Sequence, residues 1–221
     1  PQRFTPSTHS QSFTEFSQTR PPEPTPALLN TKCGAPKRCT TSAASAAICS
    51  ALDTSTRLAS TGAPAAQGID EFFGYIDQTH AHTHYPDHLW KNGQRVEIPE
   101  NKNGGRAVYA QDLFIRETLD FVRRHRDRPF FFFGAFTAPH AEVAVPADSL
   151  AEYRDRWPEP QPFAGGKTYA PQREPRAVRA AMITRLDRDI GHLLDLLDEL
   201  KLPENTLIIF TSDNGPITAG G

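Results

Sequence analysis

Three groups of residues carry side chains suited to chemistry. Asp213 and Asn214, in Thr211-Ser212-Asp213-Asn214-Gly215, set a carboxylate beside an amide oxygen. Hard cations such as calcium and magnesium take several oxygen ligands, and this pair supplies two without crowding. The same residue types are also ordinary turn formers. His140, in Thr137-Ala138-Pro139-His140, follows a proline at the exit of an apolar run. Its imidazole could donate a proton or hold an anionic oxygen; the alternative is a loop histidine with no role. His80, His82, His84 and His88 crowd one stretch, QTHAHTHYPDHLW, in a chain with eight histidines. Alternate histidines on an extended segment share a face and suit zinc or copper. Tyr85, Pro86 and Trp90 beside them suit a packed loop instead.

Hydrophobic periodicity indicates the elements that must position these groups. Over residues 112–124, Ile115, Leu119 and Val122 recur at helical spacing, with Arg116, Arg123 and Arg124 lying largely elsewhere. Asp112 suits the first turn, and Arg123, Arg124 and His125 the last. Residues 129–136, PFFFFGAF, form a continuous apolar run expected to be a strand buried on both faces. Residues 175–200 give the clearest helix, with Pro175 at its first turn and a stripe of Val178, Met182, Leu186, Ile190, Leu193, Leu194 and Leu197. Residues 206–211, TLIIFT, make a second buried-strand expectation ending at Asp213. Strand, helix and strand in that order predict a right-handed βαβ crossover. The fold class is therefore α/β, with a mixed, mostly parallel sheet flanked by helices. Ligands of such sheets gather beyond the carboxyl ends of the strands, where His140 and Asp213 both fall. Residues 68–102 and 141–174 read as loops, the latter carrying five prolines.

The 221 residues divide by composition. In residues 1–66, 39 positions are Ser, Thr, Pro or Ala, with no Val, Tyr or Trp, which predicts a low-complexity tail without a core. That segment carries six Lys/Arg against three Asp/Glu, so of the net charge of −2 the remaining residues carry −5. Neither value is extreme, and no basic stripe interleaved with aromatics suggests a nucleic-acid partner. No run of about 18 apolar residues exists, which argues against a transmembrane helix. Near Pro1 nothing resembles a signal peptide. Cys33, Cys39 and Cys49 are odd in number and form no Cys-x-x-Cys pair, against both a disulfide framework and a zinc site among them.

Four blocks in order carry a family resemblance: GIDEFFGYIDQTHAHTHYPDHLWKNG, RPFFFFGAFTAPHAEVAVP, AMITRLDRDIGHLLDLLDEL and NTLIIFTSDNGP. Together they resemble the arylsulfatase-like sulfatases of the alkaline phosphatase superfamily, over residues 68–216. The resemblance implies a partial α/β sandwich, sulfuric ester hydrolysis and a calcium ion. It also implies a formylglycine made from Cys or Ser in a Cys/Ser-x-Pro/Ala-x-Arg motif. It assigns Asp213 and Asn214 to calcium and His140 to the sulfate group and leaving oxygen. A sulfated small molecule or carbohydrate becomes the expected substrate, with the aromatic and His-rich loop, Tyr85 and His82 in particular, shaping its pocket. Periplasmic or secreted location is typical of the family.

The chain departs from that pattern at the nucleophile. Cys33-Gly34-Ala35-Pro36-Lys37 has Lys where Arg is required, Cys39 is followed by Thr-Thr-Ser-Ala, and the stretch from Cys49 ends at Asp53. The paired amino-terminal acids that complete the calcium site are missing too. The expected organisation is thus a tail over residues 1–66 and a partial, inactive sulfatase domain over residues 67–221. A shifted reading frame and a native linker both account for the tail. Two other functions stay open: a phosphate or phosphonate ester hydrolase of the same superfamily, since Asp-Asn and His serve either tetrahedral anion, and a non-catalytic metal-binding protein built on His80, His82 and His84.

Overall fold

The structure is a computed structural model that describes residues 44–49, 63–140, 142–159, 161–165, 169–213 and 215. Contacts divide the chain into Pro1–Gly34 and Ala35–Gly221, and every described residue lies in the second unit. Five strands form one sheet in the order β4-β3-β2-β1-β5: β1 Ala44–Cys49, β2 Glu71–Gly74, β3 His88–Lys91, β4 Gln94–Glu97 and β5 Phe130–Ala135. β1 pairs in parallel with both β2 and β5, whereas β2–β3 and β3–β4 are antiparallel. The sheet is mixed as expected, but its pairings divide evenly rather than being mostly parallel. β1 falls inside the segment expected to be a low-complexity tail; most of that segment lies outside the described residues.

The antiparallel half comes from a hairpin in a region expected to be loop. Asn92 and Gly93 both adopt positive φ, 50° and 83°, which is the turn that matches the twist of paired strands and explains Asn-Gly at this point. The Asn92 side chain then accepts a hydrogen bond from the Phe72 N–H at 2.7 Å, tying the turn back to β2.

Two helices cover the sheet. α1, Ala110–His125, buries Ile115 and Val122 of the expected stripe, together with Phe114, Thr118 and Phe121, while Leu119 is half-buried. Phe114 packs with Phe73, Tyr75, Leu89 and Ile98, and Phe121 and Val122 pack with Leu196 and Leu197. α3, Pro175–Glu199, starts on its expected proline and buries Val178, Met182 and Leu197 of the expected stripe, together with Ala177, Ala181 and Leu196. Arg185 on α3 donates to both carboxylate oxygens of Asp112 on α1, at 2.9 and 2.7 Å, so the first-turn acid also joins the two helices. A short α2, Ala147–Ala151, interrupts the otherwise irregular 141–174 segment.

Two strand expectations are corrected. β5 is a sheet edge with one exposed face, where Phe131 and Phe133 are 58% and 52% accessible, instead of being buried on both faces. Residues 206–211 form no strand, and Leu207 is 86% accessible. The βαβ crossover through α3 is therefore not formed. An apolar run expresses a preference for burial, and a ladder needs a neighbour to pair with; β5 has β1 on one side, and among the described residues no strand pairs along the other.

Asn101 closes the loop between β4 and α1. Its buried amide donates to the Pro86 and Val108 carbonyls at 2.9 and 2.7 Å, and its carbonyl accepts from the Ala107 and Val108 N–H groups at 3.0 and 2.9 Å. All four hydrogen-bonding positions of the amide are used inside the protein. Asn101→Ala leaves these backbone groups without partners and should cost about 2–4 kcal/mol, read as a lower midpoint in urea with an unchanged slope. A loss within error of zero would show that solvent replaces the amide freely.

Candidate functional site

The 3-10 turn His80–His82 and the residues after it bring the histidines to the exit of β5. Three successive carbonyls are fixed. The His82 carbonyl accepts from Glu142 N–H at 3.4 Å, Thr83 from the Tyr75 hydroxyl at 2.6 Å, and His84 from Ala110 N–H at 2.9 Å, at the start of α1. The His84 ring is buried and its Nε2 lies 3.2 Å from the His140 carbonyl oxygen, so that nitrogen carries the proton and donates. His140 N–H closes a turn onto the Thr137 carbonyl at 2.7 Å.

This framework presents the exposed His140 ring parallel to His82, with centroids 5.4 Å apart and planes 8° apart. Tyr169 stands over both, 5.0 Å from His82 and 6.4 Å from His140. Burial, then the neighbouring His140, lowers the pKa of His82. Glu142 is held up in pKa by burial and lies 3.7 Å from Arg106, whose guanidinium sits 4.7 Å above the Tyr85 ring. The arrangement is a polar and aromatic patch with one solvent-facing imidazole, suited to an oxyanion on a ring-shaped substrate.

The four clustered histidines do not share a face. His82 and His84 belong with His140, whereas His80 stacks on His88 at 4.3 Å beside Asp87. A 3-10 turn rotates about 120° per residue, so the alternation that would align side chains on a strand disperses them here. Asp213 is exposed and joins none of the described ion pairs, and Asn214 lies outside the described residues. The described residues therefore assemble no cluster of metal-ligating side chains around Asp213. Tyr85 packs on Tyr109 at 5.3 Å, a packed position as its neighbours suggested. Tyr169, Glu142 and Arg106 were missed by sequence reasoning, because they stand in irregular segments where no periodicity marks them.

This α/β domain has likenesses among known proteins. The sulfatase family model matches residues 51–221, and the chain belongs to the sulfatase family. It is 34% identical over 163 residues to N-acetylgalactosamine-6-sulfatase of Canis lupus familiaris, covering 69% of this chain and 27% of that protein. It is 33% identical over 110 residues to the N-acetylgalactosamine-6-O-sulfatase of Bacteroides thetaiotaomicron, covering 50% of this chain and 17% of that one. Among solved structures, Ps i-CgsB in complex with k-i-k-neocarrahexaose superposes with a TM-score of 0.54 at 19% identity, over 75% of this chain and 36% of that one. The chain thus spans about a quarter of the length of the mammalian relatives it matches.

His84 generates a pH dependence. Burial lowers its pKa from 6.5 to about 4, so between these values the unfolded chain binds a proton that the folded chain refuses. Its stabilising contribution is complete above about pH 6.5 and is lost as pH falls towards 4, a change of roughly 3 kcal/mol. Denaturation midpoints measured from pH 7 to pH 4 should fall, and His84→Gln should flatten the slope. An equal slope in the variant would remove His84 as its source.

Proposed function

We propose that this chain is part of the catalytic domain of a sulfuric ester hydrolase of the calcium and formylglycine type, acting on a sulfated carbohydrate. The observation that carries this reading is the solvent-facing His140 ring, fixed through His84 and backed by His82 and Tyr169, within a chain of the sulfatase family. The two N-acetylgalactosamine-6-sulfatase likenesses support a sulfated amino sugar as the substrate class. The even division of parallel and antiparallel pairings fits a partial sandwich, and the mostly parallel sheet belongs to the whole domain.

Sulfate ester cleavage moves negative charge onto the sulfate oxygens and the leaving alkoxide. His140 contacts those oxygens and, when protonated, gives its proton to the leaving oxygen. His82 lies parallel to it with ring centroids 5.4 Å apart and backs the His140 ring. Tyr169 offers an apolar face to the sugar ring. Asp213 and Asn214 are the residues of this chain that would help hold a calcium ion, which would supply positive charge to offset that on the sulfate oxygens.

The nucleophile motif is absent, so the 221-residue chain should not hydrolyse an aryl sulfate or N-acetylgalactosamine 6-sulfate above a His140→Ala control. Turnover above that control overturns the inactive-fragment reading. N-acetylgalactosamine 6-sulfate should nevertheless shift the His140 and His82 imidazole resonances in NMR, and unsulfated N-acetylgalactosamine should not. Equal shifts with the 6-phosphate would move the reading to a phosphate ester hydrolase.

Millimolar calcium should leave the Tm of this chain unchanged, since stabilisation follows RT ln(1 + [L]/Kd) and the oxygen shell is incomplete. A clear rise in Tm that Asp213→Ala abolishes would show a complete site and refute the incomplete shell.

A further inference from the structure

His80, Asp87 and His88 each offer one ligand atom, and these atoms all lie within 4.8 Å of one another; among the described residues this is the group of three metal-ligating side chains. The three come from two elements. His80 opens the 3-10 turn His80–His82, with its N–H donated to the Asp77 carboxylate at 2.9 Å. Asp87 precedes β3 and His88 begins it, opposite Glu97 of β4. Packing fixes both rings: His80 lies edge-on to the buried Tyr75 at 5.0 Å, and His88 lies between His80 and Trp90.

The donor chemistry at this cluster is unfinished. His80 Nε2 is shielded from solvent and has no hydrogen-bond partner, although buried polar atoms ordinarily have one. Asp87 Oδ1 is 2.6 Å from His88 Nδ1, so the carboxylate and this imidazole already stand together. The Asp87 side chain is 47% accessible, which gives a cation an open side through which water completes its shell.

We propose that His80, Asp87 and His88 form a binding site for a zinc-type divalent cation, separate from the sulfate-directed patch around His140. Two imidazole nitrogens and a carboxylate oxygen with a water in the fourth position make an ordinary tetrahedral zinc shell, whereas calcium and magnesium would want oxygen throughout. Tetrahedral zinc places its donors about 3.3 Å apart, so a donor set within 4.8 Å closes by small side-chain rotations. Nothing in the sulfate reaction requires this cation, and the site holds whether or not that reading is correct. Arg95, 3.2 Å from His88 Nδ1 and paired with Glu97, is the adverse charge beside it.

The experiment uses the full chain with Cys33, Cys39 and Cys49 replaced by Ser, so that thiolates do not compete. Zinc titrated by calorimetry should bind at one equivalent, and His80→Gln and His88→Gln should each weaken it roughly tenfold to a hundredfold. Asp87→Asn should weaken it in the same sense, and Arg95→Gln should strengthen it. Cobalt(II) in the parent protein should give the visible bands of a tetrahedral nitrogen–oxygen site, a readout that a merely destabilised variant does not imitate. No zinc binding by the parent, zinc affinity unchanged in the His80→Gln/His88→Gln double variant, or octahedral cobalt bands each overturn the site.

Discussion

The backbone of His82, Thr83 and His84 is held from three directions, and the arrangement of the site depends on it. Glu142 N–H, the Tyr75 hydroxyl and Ala110 N–H each engage one of three successive carbonyls, and the His84 ring reaches across to the His140 carbonyl. These bonds join the segment after β2, the start of α1 and the exit of β5. Carbonyls in a partly buried loop must find donors or lose the solvation they had in the unfolded chain. Satisfying all three fixes the path of the loop, and that path determines which ring faces which. His82 meets His140 because its own carbonyl is bound to the residue two beyond His140.

Burial is the cost of that precision. His84 gives up protonation so that it can sit inside as a neutral donor, and Tyr75 and Tyr109 have raised hydroxyl pKa values from the same desolvation. Both tyrosines spend their hydroxyls on carbonyls, Tyr75 on Thr83 and Tyr109 on Ala144. His82 Nδ1, His84 Nδ1 and Thr137 Oγ1, by contrast, are buried without a hydrogen-bond partner. Above them the His140 ring is exposed, and the buried Glu142 lies 3.7 Å from the exposed Arg106.

What the sequence made legible follows from whether a pattern is local. α1 and α3 appear within a residue or two of their expected bounds, because Ile115, Val122, Val178 and Met182 repeat at a period that only a helix aligns. The Asn92-Gly93 hairpin was equally local and went unread, since the histidines and aromatics around it look like loop. Strand burial was not local. Phe131, Phe133 and Leu207 are apolar enough for a core, yet their exposure depends on which strands lie beside them, and no residue of the run encodes that. The histidine alternation misled for a geometric reason: a period of two aligns side chains only on extended backbone, and this backbone turns.

That turn also separates two donor chemistries along one short stretch. Had residues 80–84 been extended, His80, His82 and His84 would have pointed one way and competed for the same ligand. The 3-10 turn instead sends His80 towards Asp87 and His88, and leaves His82 and His84 to the exit of β5. Imidazole nitrogens with a single carboxylate suit zinc, and the oxygens of Asp213 and Asn214 suit calcium, so a cation fit for one set is poorly fit for the other. The proton donor proposed at His140 and the lone pairs proposed at His80 and His88 are opposite demands on imidazole. The turn sets the two histidine groups apart, so the proposed anion and cation sites would not share a ring.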